Sequence, residues 1–278
     1  MTTKTTLVPS LHLNDGRQIP QLGFGVFQVP PEDTAEIVAH ALRTGYRSID
    51  TAAMYDNEAG VGEAIARSEL DRTEVFITTK VWSSDHGHDA ALRAFERSLE
   101  RLGQDYVDLY LIHWPAPAQG KYVETWQALT ELNAEGRARS IGVSNFQPEH
   151  LDRIIDATGV VPTVNQIELH PRLQQRQLRR YHDEHNIRTE AWSPLGKGTL
   201  LGDPTIESIA SRLRRTPAQI VLRWHIQLGN VVIPKSVTPG RIEENFQIFD
   251  FELTEDQMRE VEQLDSGERT GPDPDTFG

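Results

Sequence analysis

The sequence predicts a single α/β domain over residues 1–278, a (β/α)8 TIM barrel with an N-terminal β-hairpin capping the barrel bottom. Three observations lead there. Eight short apolar runs alternate with longer amphipathic stretches, with no low-complexity linker between them. Several of the runs are apolar on both faces, as strands of a parallel sheet covered on both sides must be. Eight right-handed strand–helix units are the number that closes a barrel.

The elements follow in order. SLHLNDGRQIP (10–20) places Asp15-Gly16 between alternating residues, the signature of a hairpin turn. The eight strand-like runs are LGFGVF (22–27), YRSID (46–50), VFITTK (75–80), VDLYLIH (107–113), ARSIGVS (138–144), TVNQIEL (163–169), IRTEAW (187–192) and VVIPK (231–235). PEDTAEIVAHALRTG (31–45) opens with Pro and acids and closes with Gly, the expected cap chemistry of a helix. AALRAFERSLERLG (90–103) puts Leu92, Phe95, Leu99 and Leu102 on one helical face. YVETWQALTELNAEG, PEHLDRIIDATG and QQRQLRRYHDEHN read the same way, and Thr216-Pro217 starts another helix.

Composition excludes several functions. Lys and Arg number 28 against 41 Asp and Glu, a net charge of −13. An acidic chain lacks the field that phosphate backbones or anionic lipid require. A few local cations can still make a pocket for a small anion. The absence of cysteine removes disulfides, thiolate catalysis and Cys-based metal sites. MTTKTTLVPS has no apolar core of a signal peptide, and no apolar run approaches a membrane span, so the cytoplasm is the expected compartment. No exposed hydrophobic stripe stands out, so a monomer is expected.

In such a barrel the chemistry sits at the carboxyl ends of the strands. Asp50 and, five residues on, Tyr55 follow strand 2; Lys80 and Trp82 follow strand 3; His113 and Trp114 follow strand 4. Singly, such residues are most often loop salt bridges or packing groups. Together they form a proton-transfer set. A phenol ordinarily titrates near 10, and a neighbouring ammonium favours the phenolate. Lys80 can supply that ammonium if Asp50 holds it, and His113 can donate a hydrogen bond to a substrate oxygen. Such a set can protonate an alkoxide as it forms from a carbonyl. None of the four can supply hydride, so a nicotinamide cofactor is expected.

These residues resemble the aldo-keto reductase superfamily, over essentially the whole chain. GYRSIDTAAMYDNEAGVG (45–62), RSIGVSNF (139–146) and IPKSVTPGRIEEN (233–245) match its three signatures in order. The resemblance implies that Asp50, Tyr55, Lys80 and His113 are the catalytic tetrad, with Tyr55 as general acid in reduction. It implies that Ser144, Asn145 and Gln166 bind the nicotinamide carboxamide and that Trp192, where the family usually carries Tyr, stacks under the ring. Ser193, Leu195 and Gly196 are implied along the pyrophosphate. Lys235, Ser236 and Arg241 are implied as the clamp on an adenosine 2′-phosphate, flanked by Ile233 and Val237, with Glu244 and Asn245 at the adenine. NADPH is therefore the expected cofactor. Phe27, Trp82, His113 and Trp114 are the expected substrate wall. Within the superfamily the chain resembles the bacterial 2,5-diketo-D-gluconate reductase group, which can carry Gly where Ser193 stands.

The expected function is NADPH-dependent reduction of aldehydes, ketones or α-dicarbonyls, with diketo sugar acids among the candidates. Short loops after strand 7 and at the C-terminus suggest an open, permissive site. The alternative is an NADPH-binding sensor or interaction module with slow turnover. A structural role and a phosphate-handling isomerase are weaker: the tetrad is complete, and no Gly-rich phosphate loop follows strands 7 and 8. No metal site is expected, and His182-Asp183-Glu184-His185 reads as exposed polar surface. RQLRR (176–180) and RLRR (212–215) read as helix faces paired with acidic surface.

Overall fold

A computed structural model describes residues 8–278. Strands β1 (Ser10–His12) and β2 (Gln18–Pro20) form the expected antiparallel hairpin. Eight parallel strands follow: β3 (Phe24–Gly25), β4 (Ser48–Asp50), β5 (Phe76–Val81), β6 (Val107–Ile112), β7 (Ala138–Ser144), β8 (Val164–Glu168), β9 (Arg188–Trp192) and β10 (Val231–Val232). They pair in sequence order, and a parallel bridge between Leu22 and Val232 brings the two edges together. The barrel therefore closes.

Strands β3 and β10 are shorter than their apolar runs. Pro234 has no N–H to donate, so the ladder becomes irregular there. The chains stay joined, with Gly25 N–H donating to Pro234 O at 3.1 Å and Gly23 N–H to Val232 O at 2.9 Å.

The outer helices are α1 (Pro31–Thr44), α2 (Glu58–Ala66), α3 (His88–Leu102), α4 (Tyr122–Ala134), α5 (Pro148–Thr158), α6 (Arg176–Glu184), α7 (Pro204–Leu213), α8 (Pro217–Gln227), α9 (Pro239–Phe246) and α10 (Glu255–Glu262). Four of these were not separately expected: α2, α7, α9 and α10. The sequence of α2, EAGVGEAIA, carries two glycines that weaken its helical signal. The start of α7 was legible, because Asp203 caps it through Thr205 N–H and Pro204 follows. A reciprocal capping box between Thr216 and Gln219 starts α8.

Two apolar clusters hold the fold. The larger lies between the strands and the helix ring. The smaller joins Leu109 and Leu111 of β6, Val164 of β8 and Val231 of β10 to Leu13 and Ile19 of the hairpin. The hairpin thus plugs the barrel interior at the amino ends of the strands. Polar ties fix it there: Asn14 Nδ2 donates to Pro162 O at 3.0 Å, and Arg188 Nε to His12 O at 2.7 Å. Gly142 of β7 is glycine for a packing reason, since a Cβ there would meet Val164 O at 2.6 Å and Leu111 Cδ2 at 2.8 Å.

The Arg-rich segments pair as expected, Arg176 with Asp265, Arg212 with Glu260 and Arg215 with Asp250. His182 corrects an expectation. It is buried, not exposed, and its ring nitrogens bond Asn165 and Thr189. Burial pushes it down to about 3, so it is a neutral packing group. Among the described residues no cluster of His, Asp and Glu could hold a metal.

Candidate active site

Side chains alternate along a strand, so every second residue faces the barrel interior. Inward positions near the carboxyl ends include Asp50, Lys80, Gln166 and Glu190, which form one hydrogen-bonded group. Lys80 is fully enclosed at 0 % exposure. Its Nζ donates to Asp50 Oδ1 at 2.7 Å and to Thr51 O at 2.8 Å. Burial works against its charge, but Asp50 and Tyr55 outweigh that and hold the lysine above its ordinary value. Lys80 is therefore an ammonium at neutral pH.

Tyr55 ends a short 3-10 turn (Ala53–Tyr55) after β4. Lys80 Nζ lies 5.1 Å from its ring centre, and the His113 ring lies 5.5 Å away nearly at right angles. Burial pushes the Tyr55 phenol up to about 12, against the pull of Lys80. The expected lowering by Lys80 is present, but burial and the Asp50 charge exceed it. His113 is held well below its ordinary value, first by burial and then by Lys80. Neither of its ring nitrogens has a hydrogen-bond partner among the described residues, and Nδ1 is fully enclosed. The site thus holds a protonated phenol, a neutral imidazole and an ammonium side by side.

A second group flanks this one. Trp192 donates its indole N–H to Asn145 Oδ1 at 2.8 Å, a bond that fixes the plane of a half-buried ring. Asn145 in turn donates to His113 O and to Ser144 Oγ, both at 3.0 Å. Ser193 follows at φ 47°, the left-handed region that favours glycine. Leu195 is half-buried, and Gly196, at φ 53°, is buried.

The third group lies after β10. Lys235 and Arg241 are exposed, and neither has an ion-pair partner among the described residues. Ser236 Oγ accepts from Thr238 N–H at 3.1 Å in the turn that opens α9. Ile233 is buried beneath this turn and Val237 projects from it. Glu244 is held by Thr216, whose hydroxyl donates to Oε1 at 2.8 Å, and Asn245 is buried. Among the described residues the exposed large apolar side chains are Phe27 (44 %), Met54 (41 %) and Val237 (47 %), and all three follow barrel strands at this end.

The C-terminal tail corrects the expectation of an open mouth. Glu168, at the end of β8, accepts from Thr270 N–H at 2.7 Å, Thr270 Oγ1 at 2.6 Å and Gly271 N–H at 3.0 Å. Burial opposes its charge, but His170 and Thr270 together hold it down to about 2. Lys197 Nζ adds a bond to Thr270 O at 2.7 Å. A Cβ on Gly271 would lie 2.4 Å from the Trp192 ring, so only glycine lets the tail pass. The tail then places Phe277 4.6 Å from Trp114 and 6.3 Å from Trp82. Phe27 stands 5.0 Å from Tyr55, and Trp82 5.0 Å from His113. Phe277 therefore joins the expected wall of Phe27, Trp82 and Trp114.

The aldo/keto reductase family model matches residues 21–266. An aldo-keto reductase of Mycobacterium sp. (strain KMS) is 58% identical, covering 97% of this chain and 98% of the relative. Methylglyoxal reductase DkgA of Escherichia coli (strain K12) is 52% identical, covering 96% and 98%. A variant of Gox0644 in complex with NADPH superposes with a TM-score of 0.95 at 54% identity, covering 98% of this chain and 99% of that one.

The chain belongs to the aldo/keto reductase family.

Membership in the aldo/keto reductase family gives the geometry its context. The structure brings Asp50, Tyr55, Lys80 and His113 together at one mouth, with Gln166 bonded to Asp50. Sequence reasoning missed Glu190 and the placement of Phe277. Glu190 was findable: it sits two residues before Trp192 on the same strand face. The position of Phe277 depends on a latch made across about a hundred residues of chain, which no local pattern records. Replacing Glu168 with Ala should release that latch. Hydrogen exchange at Thr270 and Gly271 should quicken by about tenfold or more, since each lost charge-assisted bond is worth roughly 1.5–3 kcal/mol. Unchanged protection would show that Glu168 does not hold the tail.

Proposed function

We propose that this protein reduces small carbonyl compounds with NADPH, with Tyr55 as the proton donor. The observation that carries the reading is the buried Lys80 ammonium, 2.7 Å from Asp50 and 5.1 Å from the ring of a protonated Tyr55. NADPH, when bound, supplies the hydride that none of these side chains can. A carbonyl oxygen at this mouth meets two groups. His113, neutral because of burial and Lys80, can donate a hydrogen bond but is a poor proton source. Tyr55 keeps its proton to about pH 12 and can transfer it as the oxygen becomes alkoxide. Lys80 then stabilises the phenolate left behind, and Asp50 balances Lys80.

The chain's own residues fit the cofactor. Trp192 offers a ring face held by Asn145. Lys235 and Arg241 are exposed cations without an ion-pair partner among the described residues, and Arg241 lies in the first turn of α9, where a helix N-terminus adds positive potential. A doubly charged phosphate suits them better than a bare hydroxyl. The substrate class favoured by the aromatic wall is a small α-dicarbonyl such as methylglyoxal. The name of the Escherichia coli relative points the same way.

Tyr55→Phe should lower turnover of methylglyoxal by roughly 10²–10⁴-fold while NADPH binding stays close to wild type. In the wild type, alcohol oxidation should climb with pH across the alkaline range, because the phenolate is the base. A variant that keeps substantial turnover would remove Tyr55 from the acid's role. Arg241→Ala should weaken NADPH by about tenfold, as a lost charge-assisted contact does, and leave NADH nearly unchanged. Equal losses in fluorescence titrations with the two cofactors would contradict the phosphate clamp.

A further inference from the structure

One buried acid has no part in the mechanism above. Glu190 is 1 % exposed and lies directly opposite Gln166 in the β8–β9 register. Gln166 Nε2 donates to Asp50 Oδ2 at 2.8 Å and to Glu190 Oε2 at 2.9 Å. An amide nitrogen carries two hydrogens, so both are committed. Gln166 can then meet a ligand only as an acceptor, through Oε1. The opposite amide orientation would set that oxygen against the Asp50 carboxylate.

The charges in this enclosed group do not balance if every acid is ionised. Lys80 is the one cation, and it bonds Asp50 directly. Glu190 makes no hydrogen bond to a cation among the described residues. The groups facing it are Asp50 on β4, Tyr55 after β4, Lys80 on β5, neutral Gln166 on β8 and, as its register partner on β10, apolar Val231. Two carboxyls sharing one cation in a dry site keep one proton between them. The proton belongs on the acid without the ammonium. Burial first, and Asp50 second, push Glu190 up to about 8.

We propose that Glu190 is a positioning residue, a neutral carboxyl that holds Gln166 in one amide orientation and leaves the Asp50–Lys80–Tyr55 relay without excess negative charge. When Glu190 ionises, its charge raises both Tyr55 and Lys80, and the phenol holds its proton more tightly. The kinetic consequence rests on the carbonyl-reductase reading; the protonation of Glu190 does not.

Three measurements test it. The infrared difference spectrum of wild type minus E190Q, taken on the protein alone, should show the C=O band of a protonated carboxylic acid at neutral pH. That band should titrate away near pH 8. Absence of the band overturns the neutral acid. In the pH profile of methylglyoxal reduction, wild type should show an inflection in the same range that E190Q lacks; identical profiles overturn the coupling to the relay. E190L leaves one N–H of Gln166 without an acceptor, and the Kd for NADPH, read by tryptophan quenching, should rise about five- to tenfold. A Kd equal to wild type overturns the holding of Gln166. If no carbonyl is turned over by either protein, the reductase reading fails, and the infrared band still decides the state of Glu190.

Discussion

An ammonium enclosed inside a protein is costly unless a carboxylate meets it at hydrogen-bond distance. Lys80 and Asp50 meet that condition at 2.7 Å, and the site is organised around them. The pair cannot form in isolated segments, because the two residues lie on neighbouring strands, β4 and β5, thirty positions apart. Barrel closure brings them together and excludes water. The same exclusion keeps the Tyr55 phenol protonated and His113 neutral. One physical fact, burial around a single ammonium, therefore fixes the state of its neighbours: a phenol that keeps its proton and an imidazole without charge.

The barrel interior is layered to make this possible. Apolar side chains of β6, β8 and β10 fill the end plugged by the hairpin, and the polar group sits above them. Asp50, Lys80, Gln166 and Glu190 each have a partner inside the group. Gln166 links Asp50 to Glu190, and Asn145 links Trp192 to the His113 backbone. A satisfied network of this kind is rigid, which suits a site that must hold a reacting atom in place. The mouth itself is less fixed. Its outer wall depends on a tail held by Glu168, so the wall and the polar group are held by different parts of the chain.

Much of this was legible in the sequence. The alternation of apolar runs and amphipathic stretches specifies the barrel, because period two and period 3.6 cannot be exchanged. Asp50, Tyr55, Lys80 and His113 were readable as strand-end residues. What was not legible depends on three-dimensional environment. The sign of the Tyr55 shift is a contest between burial and an ammonium, and only coordinates rank them. His182 looked like surface because its neighbours are charged, yet its face of α6 turns inward. The tail could be read only as short because the latch at Glu168 is a long-range contact.

The most direct test of the central claim is the turnover of Lys80→Met with methylglyoxal and NADPH, measured beside its NADPH affinity. Met matches the length of the lysine stem without its charge. The account predicts a fall in kcat of roughly 10²-fold or more, with cofactor affinity little changed, because the phenolate left after proton transfer loses its stabilising charge. A variant that binds NADPH and turns over methylglyoxal at the wild-type rate would contradict it.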